Sequence, residues 1–213
     1  MNGESKRKPS SPRRASGLAG TALILFAFSV LAWGQSNPTS QAGRGPNGTQ
    51  QSLQTAQAYR VDHAPQLDGT LNDPLWQQGT PITRFLQREP FEGQQPTERT
   101  EVRVLYTRSA VFFGVTCFDS NPAGIVATEL RRDVSQELDD YFEIIIDSAH
   151  DRRNAYVFQV NPLGTQRDAL ITEEQRTDTS LGDGDSGWDG VWTSEARVSK
   201  DGWILTVGIP FAA

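Results

Sequence analysis

The residues with the most evident chemistry lie in one acidic, glycine-rich segment. Asp183, Asp185 and Asp189 stand at positions i, i+2 and i+6 of the run DGDSGWD. Carboxylate oxygens on a glycine-rich loop can surround a hard cation such as Ca²⁺, so we predict a structural calcium site here. A solvated acidic turn has the same composition, because Asp and Gly favour turns. No Glu stands at the twelfth position, which excludes an EF-hand.

Trp188 lies inside this acidic segment and is the tryptophan best suited to contact a ligand. An exposed indole stacks on the apolar face of a sugar ring, while neighbouring groups hydrogen-bond the hydroxyls. Core packing is the alternative for every tryptophan. We expect it for Trp76, beside a short predicted helix, and for Trp203, which follows a turn at Asp201-Gly202.

Polar residues elsewhere could complete a sugar site around Trp188. Asp139, Asp140, Arg153 and Asn161 carry the carboxylate, guanidinium and amide groups that hydrogen-bond vicinal hydroxyls. Charged and polar residues of this kind also cover ordinary solvated surfaces. The sequence therefore predicts a sugar-binding rim, with a plain surface as the alternative.

Paired carboxylates leave a hydrolase open as well. A glycosidase needs two carboxyl groups roughly 5–9.5 Å apart, and Glu143 and Asp147 join Asp139 and Asp140 as candidates. Glu143 and Asp147 share one face of a predicted strand, so they could equally line a polar surface. We rank binding above catalysis, and we assign no catalytic residue.

Other chemistries lack their sequence motifs. The chain has no nucleophile elbow, Walker loop, dinucleotide fingerprint or zinc-protease motif. The two histidines, His63 and His150, lie in turn-like sequences, and the single cysteine, Cys117, alternates inward on an apolar strand. A formal charge of −6 argues against nucleic acid as a partner.

Residues 1–34 predict a secretory signal peptide. A basic start precedes an apolar run from Leu18 to Trp33, and small residues at Ala32 and Gly34 suit cleavage. The run is short for a membrane span, which needs roughly 20 residues. Its removal takes away five basic residues and Glu4, so the formal charge falls from −6 to −10. We expect an exported protein that is periplasmic, outer-membrane-associated or extracellular.

Residues 35–57 predict a flexible polar linker, and residues 58–213 an all-β domain. Short alternating runs bounded by Gly, Pro, Asn and Asp indicate an antiparallel β-sandwich of jelly-roll type with one or two short helices. The predicted strands are 101–107, 111–118, 141–147, 155–161, 166–172, 192–199 and 203–209. The helical candidates are Pro74–Gln78 and residues 125–132.

Eight stretches, taken in order, resemble family 9 carbohydrate-binding modules. They resemble more closely the amino-terminal module of large bacterial secreted or outer-membrane proteins in which a β-barrel-like region follows. The stretches are residues 67–76, 98–102, 131–133, 140–147, 151–156, 160–164, 186–192 and 202–211. The resemblance implies a jelly-roll sandwich, a sugar clamped by two tryptophans and a structural Ca²⁺. Of the tryptophans, only Trp188 matches a plausible loop position for such a clamp. It also implies that the chain continues past Ala213 into a barrel.

Three functions follow, and each predicts a different structure. A carbohydrate-binding module predicts an exposed Trp188 beside Asp139, Asp140 and Arg153 in one concave patch. A structural or interaction cap of an outer-membrane barrel predicts buried tryptophans and no concave polar site. A glycoside hydrolase component, acting in carbohydrate catabolism, predicts a cleft with two facing carboxylates.

Overall fold

The computed structural model describes residues 22–27, 56–172, 184–185 and 187–212. These residues form nine strands and two short 3₁₀ helices. The strands are β1 (Ala22–Ala27), β2 (Tyr59–Arg60), β3 (Thr100–Tyr106), β4 (Ala110–Phe118), β5 (Phe142–Asp147), β6 (Ala155–Val160), β7 (Gln166–Ile171), β8 (Thr193–Ser199) and β9 (Gly202–Pro210). The helices are Pro74–Gln78 and Pro122–Gly124.

The strands form two sheets, ordered β1-β5-β6-β7 and β2-β3-β4-β9-β8. Most neighbouring strands are antiparallel, which confirms the predicted all-β fold class. The pairs β1–β5 and β2–β3 are parallel, and neither was predicted. Strand β1 comes from the apolar run assigned to the signal peptide. The signal peptide and the linker stay predictions.

The core lies between the two sheets and follows from strand alternation, because successive side chains point to opposite faces. Phe113 and Leu205 of the five-stranded sheet belong to one buried cluster with Phe142, Ile144 and Phe158 of the other sheet. Each of these side chains is at most 2% exposed. Burial of one such side chain stabilises the folded state by about 1.5–3 kcal/mol. The contact between the inner faces of the two sheets therefore holds them together as a sandwich.

A smaller cluster covers the outer face of the five-stranded sheet. Trp76 is fully buried there beside Leu105 and Phe112. The first 3₁₀ helix presents this indole, and the Asp73 carboxylate caps the helix by accepting from the Leu75 N–H at 2.9 Å. The prediction that Trp76 packs in the core is confirmed.

The helix predicted for residues 125–132 is wrong. The second 3₁₀ helix ends at Gly124, and residues 125–130 have no regular structure. The N–H groups of Thr128 and Glu129 donate to the Asp139 carboxylate at 2.9 Å each. Because the Asp139 carboxylate accepts from both N–H groups, they are satisfied without the hydrogen bonds of a helix.

The contact between Gly114 and Trp76 gives a test of this packing. A Cβ atom at position 114 would lie 2.7 Å from the Trp76 ring. We expect Gly114→Ala to lower the free energy of unfolding by roughly 1–3 kcal/mol, since the indole has no room to move. Urea denaturation measures this change.

Gly124→Ala is the matched control. Its Cβ would meet the end of the Asn121 side chain at 2.8 Å, and that amide can rotate away. We expect a change below about 0.5 kcal/mol. Equal midpoints for the two variants would contradict the tight packing of Trp76 on β4.

Candidate functional site

A pocket of about 170 Å³ lies at one end of the sandwich, where three strands of one sheet meet the start of β5. Its floor comes from Thr100, Cys117 and Trp203. Thr100 is paired with Cys117, and Cys117 with Trp203, so the registers of β3, β4 and β9 place the three side by side. Phe142, the first residue of β5, contributes from the facing sheet.

One wall is the loop of residues 85–98, which precedes β3. The Gln87 N–H donates to the Gln94 carbonyl at 2.8 Å, and the Gly93 N–H donates to the Gln87 carbonyl at 2.8 Å. These bonds close the loop on itself, and Gly93 turns the chain at a φ of +79°. Phe85 and Arg88 of this loop line the pocket.

The Gln87 side chain also lines the pocket and has one unsatisfied atom. Its Nε2 donates to the Gln95 carbonyl at 2.8 Å. Its Oε1 is buried and has no hydrogen-bond partner within the described part of the chain. Buried acceptors are nearly always paired in folded proteins, so this oxygen is an exception inside the loop, closed off from the pocket space.

The opposite wall contains Asp139 and Asp140, two of the residues predicted for the sugar site. Asp139 is a structural anchor: it accepts from the backbone of Thr128 and Glu129, from the Thr128 hydroxyl at 2.7 Å and from Asn161 Nδ2 at 2.9 Å. Burial opposes ionisation of Asp139, but these donors outweigh it and hold the pKa below its usual range.

Asp140 has the opposite electrostatics. Its carboxylate accepts from the Val126 N–H at 2.8 Å. Burial raises the pKa of Asp140, and the nearby charges of Asp119 and Asp139 raise it further. Asp140 is therefore a half-buried carboxylate whose negative charge is repelled by its neighbours.

A polar row on the outer face of the four-stranded sheet adjoins the pocket. Gln159 Nε2 donates to the Glu143 carboxylate, and Arg167 Nη1 donates to Gln159 Oε1 at 3.1 Å. Burial raises the pKa of Glu143, while the Gln159 hydrogen bond and the charges of Arg167 and Arg88 oppose the rise. Arg88 thus links the pocket wall to this row.

Trp188 lies elsewhere, half-buried against the inner face of β6. Its ring centroid is 4.9 Å from that of Tyr156 and 5.9 Å from that of Phe158. It is not among the residues that line the pocket. Arg153 is exposed in the turn before β6, where its N–H donates to the Asp151 carboxylate at 2.7 Å. Of the predicted site, the structure brings together Asp139, Asp140 and Asn161, and the sugar-binding roles stay predictions.

The acidic segment is held by a buried carboxylate that the sequence reasoning missed. Asp168 on β7 has no exposed side-chain surface. Arg132 Nη2 donates to it at 2.6 Å, Trp192 Nε1 at 2.7 Å and the Gly190 N–H at 3.2 Å. The available signal was an aspartate within a predicted strand, followed by the apolar residues Ala169, Leu170 and Ile171, since a buried charge needs a partner.

The predicted calcium ligands are engaged with protein donors. Asp189 Oδ1 accepts from Arg132 Nη2 at 2.8 Å, and Asp185 Oδ1 accepts from the Gly187 N–H at 2.8 Å. Asp183 lies outside the described residues. Within the described ranges, no three His, Cys, Asp or Glu side chains are arranged to hold a metal ion. A guanidinium on Asp189 does not favour a cation there, and calcium binding stays a prediction.

The exposure of the tryptophans and the presence of a pocket can be compared with what the cap-domain hypothesis predicts. Trp76, Trp192 and Trp203 are at most 7% exposed, as the cap-domain hypothesis expects. The pocket is the concave polar site that this hypothesis does not expect. Among the described residues, no helix is long and apolar enough to cross a membrane.

Fold and site together define a two-sheet β-sandwich module with an end pocket of mixed aromatic and acidic lining. The solved structures similar to the chain include two of a family 9 carbohydrate-binding module from Caldicellulosiruptor kristjanssonii. The complex with cellotriose has a TM-score of 0.49 and 13% identity, covering 74% of this chain and 69% of that one. The complex with glucose has a TM-score of 0.49 and 12% identity, covering 74% and 70%. No protein-family model and no curated protein matches the chain.

The Asp168 network gives a stability prediction. We expect Arg132→Met to lower the free energy of unfolding by roughly 2–4 kcal/mol, because it leaves a buried carboxylate without its cation. Trp192 and Gly190 still donate to that carboxylate, so the loss stays below that of a fully unpaired charge. Urea denaturation followed by tryptophan fluorescence measures the change.

Arg131→Met provides the comparison at the adjacent position. Arg131 is 76% exposed and pairs with Glu129 at 3.1 Å on the surface. An exposed pair contributes about 0–1 kcal/mol. If Arg132→Met were no more destabilising than Arg131→Met, the ion pair would not be needed to stabilise buried Asp168.

Proposed function

We propose that this protein is a non-catalytic carbohydrate-binding module and that the end pocket is its sugar site. The observation that carries the proposal is the lining of the pocket, which combines aromatic side chains with carboxylate acceptors. Phe85, Phe118, Tyr141 and Trp203 supply apolar surface for the C–H faces of a sugar ring. The Asp140 carboxylate supplies an acceptor for its hydroxyls.

The size of the pocket suits a small sugar. One buried water needs about 10–15 Å³ of cavity volume. The pocket volume of 170 Å³ therefore corresponds to on the order of ten waters. That space is below the roughly 300–1,000 Å³ of pockets for drug-sized ligands. It fits one sugar ring, and a longer chain would extend toward Arg88 and the Glu143–Gln159–Arg167 row.

Binding is favoured over hydrolysis by the state of the carboxylates. Asp139 is saturated by protein donors, and Glu143 is bound to Gln159. Asp147 accepts from the backbone of Asp151 and Arg152 in the turn after β5. A glycosidase needs one carboxyl group to give a proton and a second to act as base or nucleophile, and these three are committed to structure.

The floor of the pocket is also unsuited to nucleophilic catalysis. Burial raises the pKa of the Cys117 thiol to about 12. A thiol in that state is almost fully protonated at neutral pH, whereas the thiolate is the nucleophile. This supports the reading of Cys117 as a small apolar floor residue.

A second candidate function, an interaction domain, is favoured by exposed leucines near the pocket wall. Leu130, Leu138 and Leu163 are 76%, 89% and 49% exposed. They lie on loops joined by hydrogen bonds, since the Glu129 carbonyl accepts from Asn161 Nδ2 at 2.8 Å. Apolar side chains on linked loops suit a protein partner. In this function the protein would be exported and would contact a barrel region, as the resemblance implies.

Intrinsic fluorescence of the full chain tests the sugar site, because Trp203 lies in the pocket floor. We expect a saturable change in emission on titration with glucose, xylose or cellotriose. Tyr141→Ala removes part of the aromatic wall and should weaken binding roughly tenfold or more. Trp188→Ala, outside the pocket, should retain it.

The outcomes separate the proposals. Loss of the response in Trp188→Ala alone would keep sugar binding but move the site to the acidic segment. A flat response across the panel, from protein with an intact near-ultraviolet circular dichroism spectrum, would reject sugar binding and favour the interaction domain. Repeating the titration with added Ca²⁺ or EDTA tests the calcium prediction.

A further inference from the structure

The lining of the pocket has a strong excess of negative charge. Among the described residues, the lining contains five carboxylic side chains and a single guanidinium, that of Arg88. The carboxylic residues are Glu89, Glu98, Asp119, Asp139 and Asp140. A neutral sugar does not require so acidic a lining, because the neutral oxygens of amides and backbone carbonyls also accept hydrogen bonds from hydroxyls.

Within the described part of the chain, three of these carboxylates accept hydrogen bonds that leave their charge in place. Asp119 accepts from the Asn121 N–H at 2.6 Å, Glu98 from the Ser120 hydroxyl at 2.5 Å and Asp140 from the Val126 N–H. These donors are neutral. The charge of Arg88 acts on Glu143, outside the pocket, as well as on the lining.

The surroundings of Asp140 show that the negative charges repel one another. Asp119 and Asp139 both oppose its ionisation, in addition to the effect of burial. Repulsion in a half-buried site is screened less than at the surface. A cation in the pocket would relieve it.

We propose that the pocket selects a sugar with a free amino group, held as its ammonium ion, over the neutral sugar of the same ring. This inference rests on the proposed function, and it names the ligand class of the same site. The ammonium group donates three hydrogen bonds and forms short, charge-assisted contacts with carboxylates. The ring packs against the aromatic wall, and Asp140 is the nearest candidate partner for the charge.

Calorimetric titration of the full chain with glucosamine, glucose and N-acetylglucosamine at one pH and ionic strength tests the proposal. We expect glucosamine to bind roughly tenfold or more tightly than glucose, and N-acetylglucosamine no better than glucose. The acetyl group removes the charge while keeping the ring. Raising the salt concentration should reduce the preference.

Asp140→Asn removes one charge from the pocket with little change in shape, and it should reduce the preference for glucosamine severalfold. Asp62→Asn is the matched control, because Asp62 is exposed and outside the lining, and it changes the net charge equally. The preference should also fade as the pH falls through the raised pKa of Asp140, where its carboxylate gains a proton. Glu89, Glu98, Asp119 and Asp139 face the same pocket and oppose that loss until they too are protonated.

Each other result has a defined meaning. Equal affinity for glucose and glucosamine would overturn the charge preference and leave the sugar function standing. Ethanolamine binding as tightly as glucosamine would overturn the amino-sugar assignment, since the ring would then contribute nothing. Binding of none of these compounds would overturn both this inference and the proposed function.

Discussion

The buried carboxylate of Asp168 is the constraint on which the arrangement of the loops depends. A charge inside a β-sandwich is tolerated only when donors surround it, and here they come from two separate parts of the chain. Arg132 belongs to the long connection before β5, and Gly190 and Trp192 belong to the connection before β8. One carboxylate on β7 therefore fixes two long connections against the sheet.

The pocket is a consequence of how those connections are anchored. Asp139, buried and fully bonded, holds residues 128 and 129 beside β5. Its neighbour Asp140 is left facing the gap between the sheets, with the loop of residues 85–98 on the other side. Adjacent aspartates thus have opposite pKa shifts and different roles: Asp139 stabilises the wall, and Asp140 carries the charge that a ligand meets.

The sheets were largely predictable from the sequence because alternation is a local property. Val111, Phe113 and Val115 face the core, and Phe112 the opposite side, as the pattern indicates. The site was predictable only in part. Asp139 and Asp140 were identified as polar residues ahead of a strand, but the pocket also depends on residues 85–98, whose sequence has no periodic pattern. The helix predicted for residues 125–132 failed because Asp139, which lies 11 residues after Thr128 and outside the predicted helix, accepts from the backbone N–H groups of Thr128 and Glu129.

The floor of the pocket is made by strand residues in fixed register, whereas its wall is a loop closed by its own hydrogen bonds. Thr100, Cys117 and Trp203 therefore belong to the paired strands that the fold depends on. Arg88 and Glu89, in contrast, are exposed residues of the loop. Recognition and stability are assigned to different parts of the chain. An engineer, or evolution by small steps, could exchange the loop of residues 85–98 to change what the pocket accepts while leaving the sandwich intact.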